Sequence, residues 1–170
     1  MAEAVSLQIV AKLVGTMSNA TDLSTLTDVF QQDFGLTFGN GTGANQANMW
    51  WHDQRTLGAS ASENIDLAGS LVSNFGTTIT FTSIKAIYVK ASASNNSANN
   101  VNVSRGSSNG FVLFLAASDG FALPAGAFCL LVNPNANGWA VTADTGDILT
   151  ITNSAGTNSV VYDIFIMGEV

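Results

Sequence analysis

The sequence predicts an all-β chain, an antiparallel β-sandwich of jelly-roll type with about 8–10 strands and an extended N-terminal arm. Three observations carry this. From Gly138 to Gly168, β-branched and aromatic residues alternate with small polar ones between Gly, Asn and Asp turns, the pattern of a half-buried antiparallel sheet. Turn signals recur every ~8–12 residues along most of the chain, the spacing of a sandwich or barrel. The chain has two prolines and few lysines with which to protect strand edges. Edges must therefore be closed, doubled into a jelly roll or lent to a neighbour, and the jelly roll is the reading adopted.

The elements follow in order. Val5, Leu7, Ile9, Ala11 and Leu13 fall at period two, giving an N-terminal strand or arm. The Ser/Thr/Asn/Asp-rich stretch from Thr16 to Asp28 reads as a loop setting that arm off from the body. Such an arm either reaches a neighbouring subunit or forms an edge strand of its own subunit. Residues 1–28 are thus expected as arm and loop, and 29–170 as one sandwich domain. Within it, Val29 to Phe38 becomes strand-like from Phe34, and the glycine-rich Gly39 to Asn48 follows. Strands are expected at Met49 to Leu57, Glu63 to Leu67, Phe81 to Ala91, Asn100 to Ser104, Phe111 to Leu115, Ala127 to Val132, Trp139 to Ala143, Ile148 to Asn153 and Ser159 to Met167. Ser94 to Asn100 reads as a hairpin tip or mobile loop, and Leu23 to Phe30 and Leu67 to Phe75 as short helical turns.

Composition narrows the function. Charged residues make up 10% of the chain, against about 25% in an ordinary soluble domain. Asn, Ser, Thr and Gly replace them. Such a surface dissolves yet has little charge to desolvate, which favours protein–protein contact. The net charge of −7 includes only five cations, Lys12, Arg55, Lys85, Lys90 and Arg105, with no basic patch, so nucleic acid is not an expected direct partner. No apolar run approaches the ~20 residues of a membrane-spanning helix, and Met1-Ala2-Glu3-Ala4 does not open like a secretory leader. A soluble chain made in the cytoplasm is the expectation.

Motifs that suggest chemistry each have a simpler explanation. Asp144-Thr145-Gly146 matches the aspartic-protease triplet but joins two predicted strands, as a turn would. Gly39 to Gly43 lacks the Lys-Ser/Thr ending of a phosphate loop. His52 is the sole histidine, so one chain cannot build a multi-His zinc site, although a trimer can bring three copies to its axis. Asp144, Asp147, Asn135 and Asn137 lack the spacing of a known calcium loop. Cys129 is expected as a small buried filler. No catalytic residue, cofactor or metal ligand is assigned, and the chain is expected not to be an enzyme. Trp50 and Trp51 are adjacent, so on a strand one faces the core and the other faces solvent, a partner or a ligand. The candidate interface is accordingly Val5, Leu7, Ile9, Leu13, Trp50, Trp51 and His52.

Several spaced blocks, Gly41 to Asn48 running into Asp53 to Leu57, Ile65 to Leu71, Ile84 to Lys90, and the closing phrases Gly138 to Thr142, Thr145 to Asp147, Asn153-Ser154 and Tyr162 to Ile164, resemble a family of small tailed-bacteriophage virion proteins. The likeness covers roughly residues 35 to 168. It implies a capsid decoration, or cement, protein with a jelly-roll-like body, sitting as a homotrimer on the outer surface of the virion's icosahedral shell. The implied partner is the major capsid protein. The alternative is a glycan- or host-binding tip of a head or tail fibre, with Trp50, Trp51 or Trp139 as stacking platforms.

Overall fold

The computed structural model describes residues 4–170. Met1 to Glu3, the start of the expected arm, lie outside the described residues. In chain order the strands are β1 (Leu7–Ala20), β2 (Thr25–Asn40), β3 (Gln46–Ala47), β4 (Met49–Leu57), β5 (Ser62–Asp66), β6 (Ala68–Val72), β7 (Thr78–Thr80), β8 (Ser83–Ala91), β9 (Val101–Arg105), β10 (Gly120–Leu123), β11 (Phe128–Val132), β12 (Trp139–Ala140), β13 (Ile148–Asn153) and β14 (Val160–Glu169). No helix occurs among the described residues.

Eight strands build the sandwich. One sheet has the order β10-β9-β13-β5 and the other β11-β8-β14-β4, with β12 also paired to β8. Following the chain, β4 lies in one sheet, β5 in the other, β8 back in the first, β9 and β10 across, β11 back, β13 across and β14 back. Two interlocked Greek keys result, which is the jelly roll. The alternation seen in the sequence is the cause: in β14, Val160, Tyr162, Ile164 and Ile166 point into the core while Val161, Asp163 and Phe165 point out. They meet Ile87 and Val89 of β8 and Leu149 and Ile151 of β13 in one cluster between the sheets.

Two expected helical turns are instead extended. Residues 25–30 belong to β2, where Thr25, Thr27 and Val29 favour a pleated backbone and every residue pairs with β1. At 67–75, Leu71 pairs with Ile79, and the Phe81 amide donates to the Leu67 carbonyl at 2.9 Å. The loop expected from Thr16 to Asp28 shrinks to a turn at 21–24, closed by the Thr21 amide on the Ser24 carbonyl at 2.7 Å. On either side of that turn, polar composition marks exposure of a paired strand.

The strand expected at Phe111 to Leu115 is also absent. Phe111 is buried, but Arg105 clamps the following turn through Nη1 to the carbonyls of Phe114 and Leu115 at 3.1 and 3.3 Å. The nearby strand is β10, whose ladder neighbour is β9.

The Asn-rich stretch from Ser94 to Asn100 is pinned rather than mobile. Asn95 accepts from the Val161 amide at 2.8 Å and donates to the Val161 carbonyl at 2.9 Å, imitating a strand neighbour. Asn99 is fully buried and donates to Asn153 Oδ1 at 3.1 Å, while Asn153 donates to the carbonyls of Gly58 and Asn158 at 2.9 and 3.0 Å. Three loops at one end of the sandwich are thereby fastened by neutral amides.

The other end is fastened by charge. Lys85 is fully buried, pairs with Glu169 at 2.9 Å, and donates to the carbonyls of Asn135 and Ala136. Removing one partner strands the other ion inside the protein, so Lys85→Met should cost about 3–5 kcal/mol. Replacing both, as Lys85→Met with Glu169→Leu, should recover most of that loss in urea unfolding. Nearby, a Cβ on Gly168 would meet the Ser83 carbonyl oxygen at 2.0 Å, where the β14–β8 register shifts. Gly168→Ala should therefore lower the unfolding midpoint, whereas Gly58→Ala, with open space at its Cβ, should not.

Candidate interaction surface

A sandwich ordinarily buries only the inner face of each sheet. Here the outer face of the β11-β8-β14-β4 sheet is largely apolar as well over the half nearest the hairpin, before a polar row of Lys90, Asp163 and Gln54. Rows across it read Val132, Ala86, Met167, Trp50 and Leu130, Tyr88, Phe165, His52. The base of the β1–β2 hairpin covers part of this face. Val5, Leu7, Ile9, Leu36 and Phe38 pack with Ala47, Ala86, Met167, Trp50 and Phe165 in a second apolar cluster.

The glycine-rich stretch sets the hairpin's departure from the body. Gln46 folds back so that its Oε1 accepts from the Gly43 amide at 2.8 Å, and the Asn45 amide donates to the Pro134 carbonyl at 2.8 Å. Gly41 sits at φ 144°, and a Cβ there would meet Gln46 Oε1 at 2.4 Å. Asn40 Oδ1 accepts from the Val5 amide at 3.1 Å and ties the incoming chain to the same corner. These glycines serve a tight hairpin exit, with no phosphate required to explain them.

Beyond this base the hairpin leaves the body. Among the described residues, nine of the sixteen exposed large apolar side chains lie between Val10 and Phe34. The register divides them between two faces. Leu7, Ile9, Ala11, Leu13, Gly15, Met17 and Asn19 stand opposite Phe38, Leu36, Phe34, Gln32, Phe30, Asp28 and Leu26. Directly opposed residues share a face, so the side that is buried at the base continues outward as Leu13, Met17, Leu26, Phe30 and Phe34, exposed by 47 to 72%. The reverse face carries Gln8, Thr16, Gln31 and the Lys12–Asp33 ion pair, with Val10, Val14 and Val29 among them. At the tip, Leu23 is 99% exposed.

The candidate residues divide accordingly. Val5, Leu7, Ile9 and Trp50 join the cluster at the hairpin base, where Trp50 meets the Phe165 ring at a centroid distance of 6.0 Å. Trp51 is in the sandwich core with the Arg55 guanidinium 5.4 Å from its ring centre. As their adjacency requires, the two tryptophans face opposite ways. His52 is exposed and shares a hydrogen bond of 2.9 Å with Asn74. Leu13 alone lies out on the projecting apolar face, at 63% exposure. Sequence reasoning missed its companions Met17, Leu26, Phe30 and Phe34. Their spacing of four residues, Leu13 to Met17 and Leu26 to Phe30 to Phe34, fits one face of a strand, but Met17 and Leu26 fell in the expected loop and Phe30 at the end of an expected helical turn.

The chain matches no protein-family model, and none of the curated proteins is similar to it. The remaining motifs are explained by local structure. Asp144 lies at φ 63° in a turn closed by Gly146 on Thr142, and its amide donates to Asp147 Oδ2 at 2.7 Å. Among the described residues no three His, Cys, Asp or Glu side chains gather as a metal site would require. Cys129 is partly buried against the core, and that burial raises its thiol pKa.

A partly buried polar tie joins β14 and the two sheet edges β4 and β5. Tyr162 donates to Glu63 Oε1 at 2.6 Å, and Arg55 holds Glu63 Oε2 at 2.7 Å. Burial first, then the hydrogen bond to Glu63, pushes the phenol pKa well above its ordinary value. A group raised in the folded state contributes stability below its unfolded pKa and loses it as pH rises. Stability should therefore fall above about pH 10, where the unfolded phenol ionises. In thermal melts from pH 8 to 11, Tyr162→Phe should show a shallower decline. The distal hairpin, by contrast, adds no residue to either core cluster. Replacing residues 15–30 with Asn-Gly, a two-residue turn suited to the Val14↔Gln31 pair, should move the melting temperature by no more than about 4 °C.

Proposed function

We propose that this chain is a non-enzymatic structural protein of a phage virion, decorating and stabilising the expanded icosahedral capsid as a homotrimer on its outer surface. The supporting observation is the division of labour in the fold. A sandwich with its loops fastened at both ends holds out a hairpin that bears nine exposed large apolar side chains between Val10 and Phe34. A two-stranded ribbon of this kind is marginal in water by itself, so its sequence makes sense as half of a contact.

The jelly roll alone does not decide this, since the same architecture hosts unrelated functions. The scarcity of charge adds to it: with 10% charged residues, few ions need be desolvated when the surface is covered. A protein that binds the expanded lattice and not its precursor stabilises the expanded form by mass action, each copy adding a small increment. The major capsid protein is the proposed partner, and the chain would be made in the host cytoplasm before joining the particle.

Co-sedimentation of purified chain with expanded empty capsids tests this. Saturable binding in fixed ratio to the major capsid protein, with weaker binding to unexpanded shells, is expected. A chain that stays in the supernatant at micromolar concentration with both shells would overturn the reading.

A further inference from the structure

We propose that the projecting hairpin is a self-association device, in which the apolar faces of hairpins from separate copies of this chain pack together, parallel, with their tips pointing the same way. The inference deepens the homo-oligomer part of the proposed function and does not require a capsid.

The relief of that face points to the occupant. On the β2 side stand Phe34 and Phe30, and directly opposite them on the β1 side are Ala11 and Gly15. A Cβ placed on Gly15 meets nothing within 4 Å, so the hollow beside Phe30 is open. The β2 side therefore carries a ridge at Phe30 and Phe34, and the β1 side has troughs at Ala11 and Gly15, set beside the standing side chains of Leu13 and Met17.

Only some arrangements match ridge to trough. When a second hairpin is laid face to face by rotation about the hairpin's long axis, its β1 lies over the first copy's β2 at the same height. Phe30 then meets Gly15 of the other copy, Phe34 meets Ala11, and Met17 and Leu26 lie beside Asp28 and Asn19 at the rim. Turned end for end, the copies set phenylalanine against phenylalanine and leave the troughs empty. A threefold arrangement about the same axis preserves the side-by-side match, each ridge entering the next copy's trough.

Area and charge agree with a like partner. Leu13, Met17, Leu26, Phe30 and Phe34 together expose roughly 500 Å², at the upper end of what a monomer ordinarily leaves open in one patch. The small and polar residues of the same face bring the contact toward the ~800 Å² per partner of a stable interface. Asp28 is the one ionisable residue on that face, whereas the reverse face bears the Lys12–Asp33 pair. The face is also continuous with the cluster already packed on the body, so a partner extends an existing apolar layer.

The test uses the full-length chain in sedimentation equilibrium. The wild type should be a discrete oligomer at low micromolar concentration, and Phe30→Asp with Met17→Asp should be a monomer with an unchanged melting transition of the body. Gly15→Leu, which fills the trough without adding charge, should weaken association at least tenfold. Spin labels at Asp22→Cys in a Cys129→Ser background should lie within about 25 Å of one another between parallel copies, against roughly 40 Å or more if one tip lies over the other's base. A monomeric wild type, an oligomer that survives both aspartates, or the longer label distance would each overturn the proposal. Should the wild type be monomeric yet bind capsids in a manner abolished by the aspartates, the face belongs to the shell contact, and decoration stands without self-association.

Discussion

The structure turns on an unusual demand: over half its length, one sheet of the sandwich is apolar on both sides. The inner side is satisfied by the opposing sheet, as in any jelly roll. The outer side, with Ala86, Met167, Phe165 and Trp50, has to be covered by something else, and the chain supplies its own N-terminal hairpin base for part of it. Leu130 and Phe128 on the same sheet remain 38 and 64% exposed, and Leu130 with Leu7, Ile9, Ala86, Tyr88 and Phe165 lines an apolar groove of about 180 Å³ beside the hairpin. Other features follow from this demand: the tight glycine exit that turns the hairpin onto the sheet, the opposite orientations of Trp50 and Trp51, and the direction in which the ribbon leaves.

Much of the fold was legible because sandwich strands obey a strict period. Met49–Leu57 is a strand with the bounds its alternation suggests, and Ile148–Asn153 likewise. Readings failed where composition spoke about exposure instead of conformation. Thr16 to Asp28 is rich in turn-forming residues because both sides of the ribbon there meet solvent, yet Thr16, Thr25 and Thr27 sustain a ladder. Ser94 to Asn100 has the composition of a mobile tip, but Asn95 and Asn99 use their amides as substitute backbone. The apolar run at Phe111 has strand-like residues and is bent by Arg105, a contact that no local pattern announces.

The surface was legible in part for the same reason. Alternation named Val5, Leu7, Ile9 and Leu13, but it gave no means of knowing that the first three would pack on the chain's own body while Leu13 would not. That division depends on where the hairpin crosses the edge of the sheet, a long-range fact fixed by Gln46, Asn40 and Pro134. The ridge and trough depend on which residue of β1 faces which residue of β2, and a one-residue slip would dissolve both.

The amide fastening at one end of the sandwich has a consequence of its own. Asn95, Asn99 and Asn153 hold three loops through bonds that neither titrate nor depend on dissolved counter-ions, since surface charge pairs weaken in brine while buried neutral hydrogen bonds do not. That end is therefore expected to keep its shape in dilute buffer, in concentrated salt and in mild acid alike.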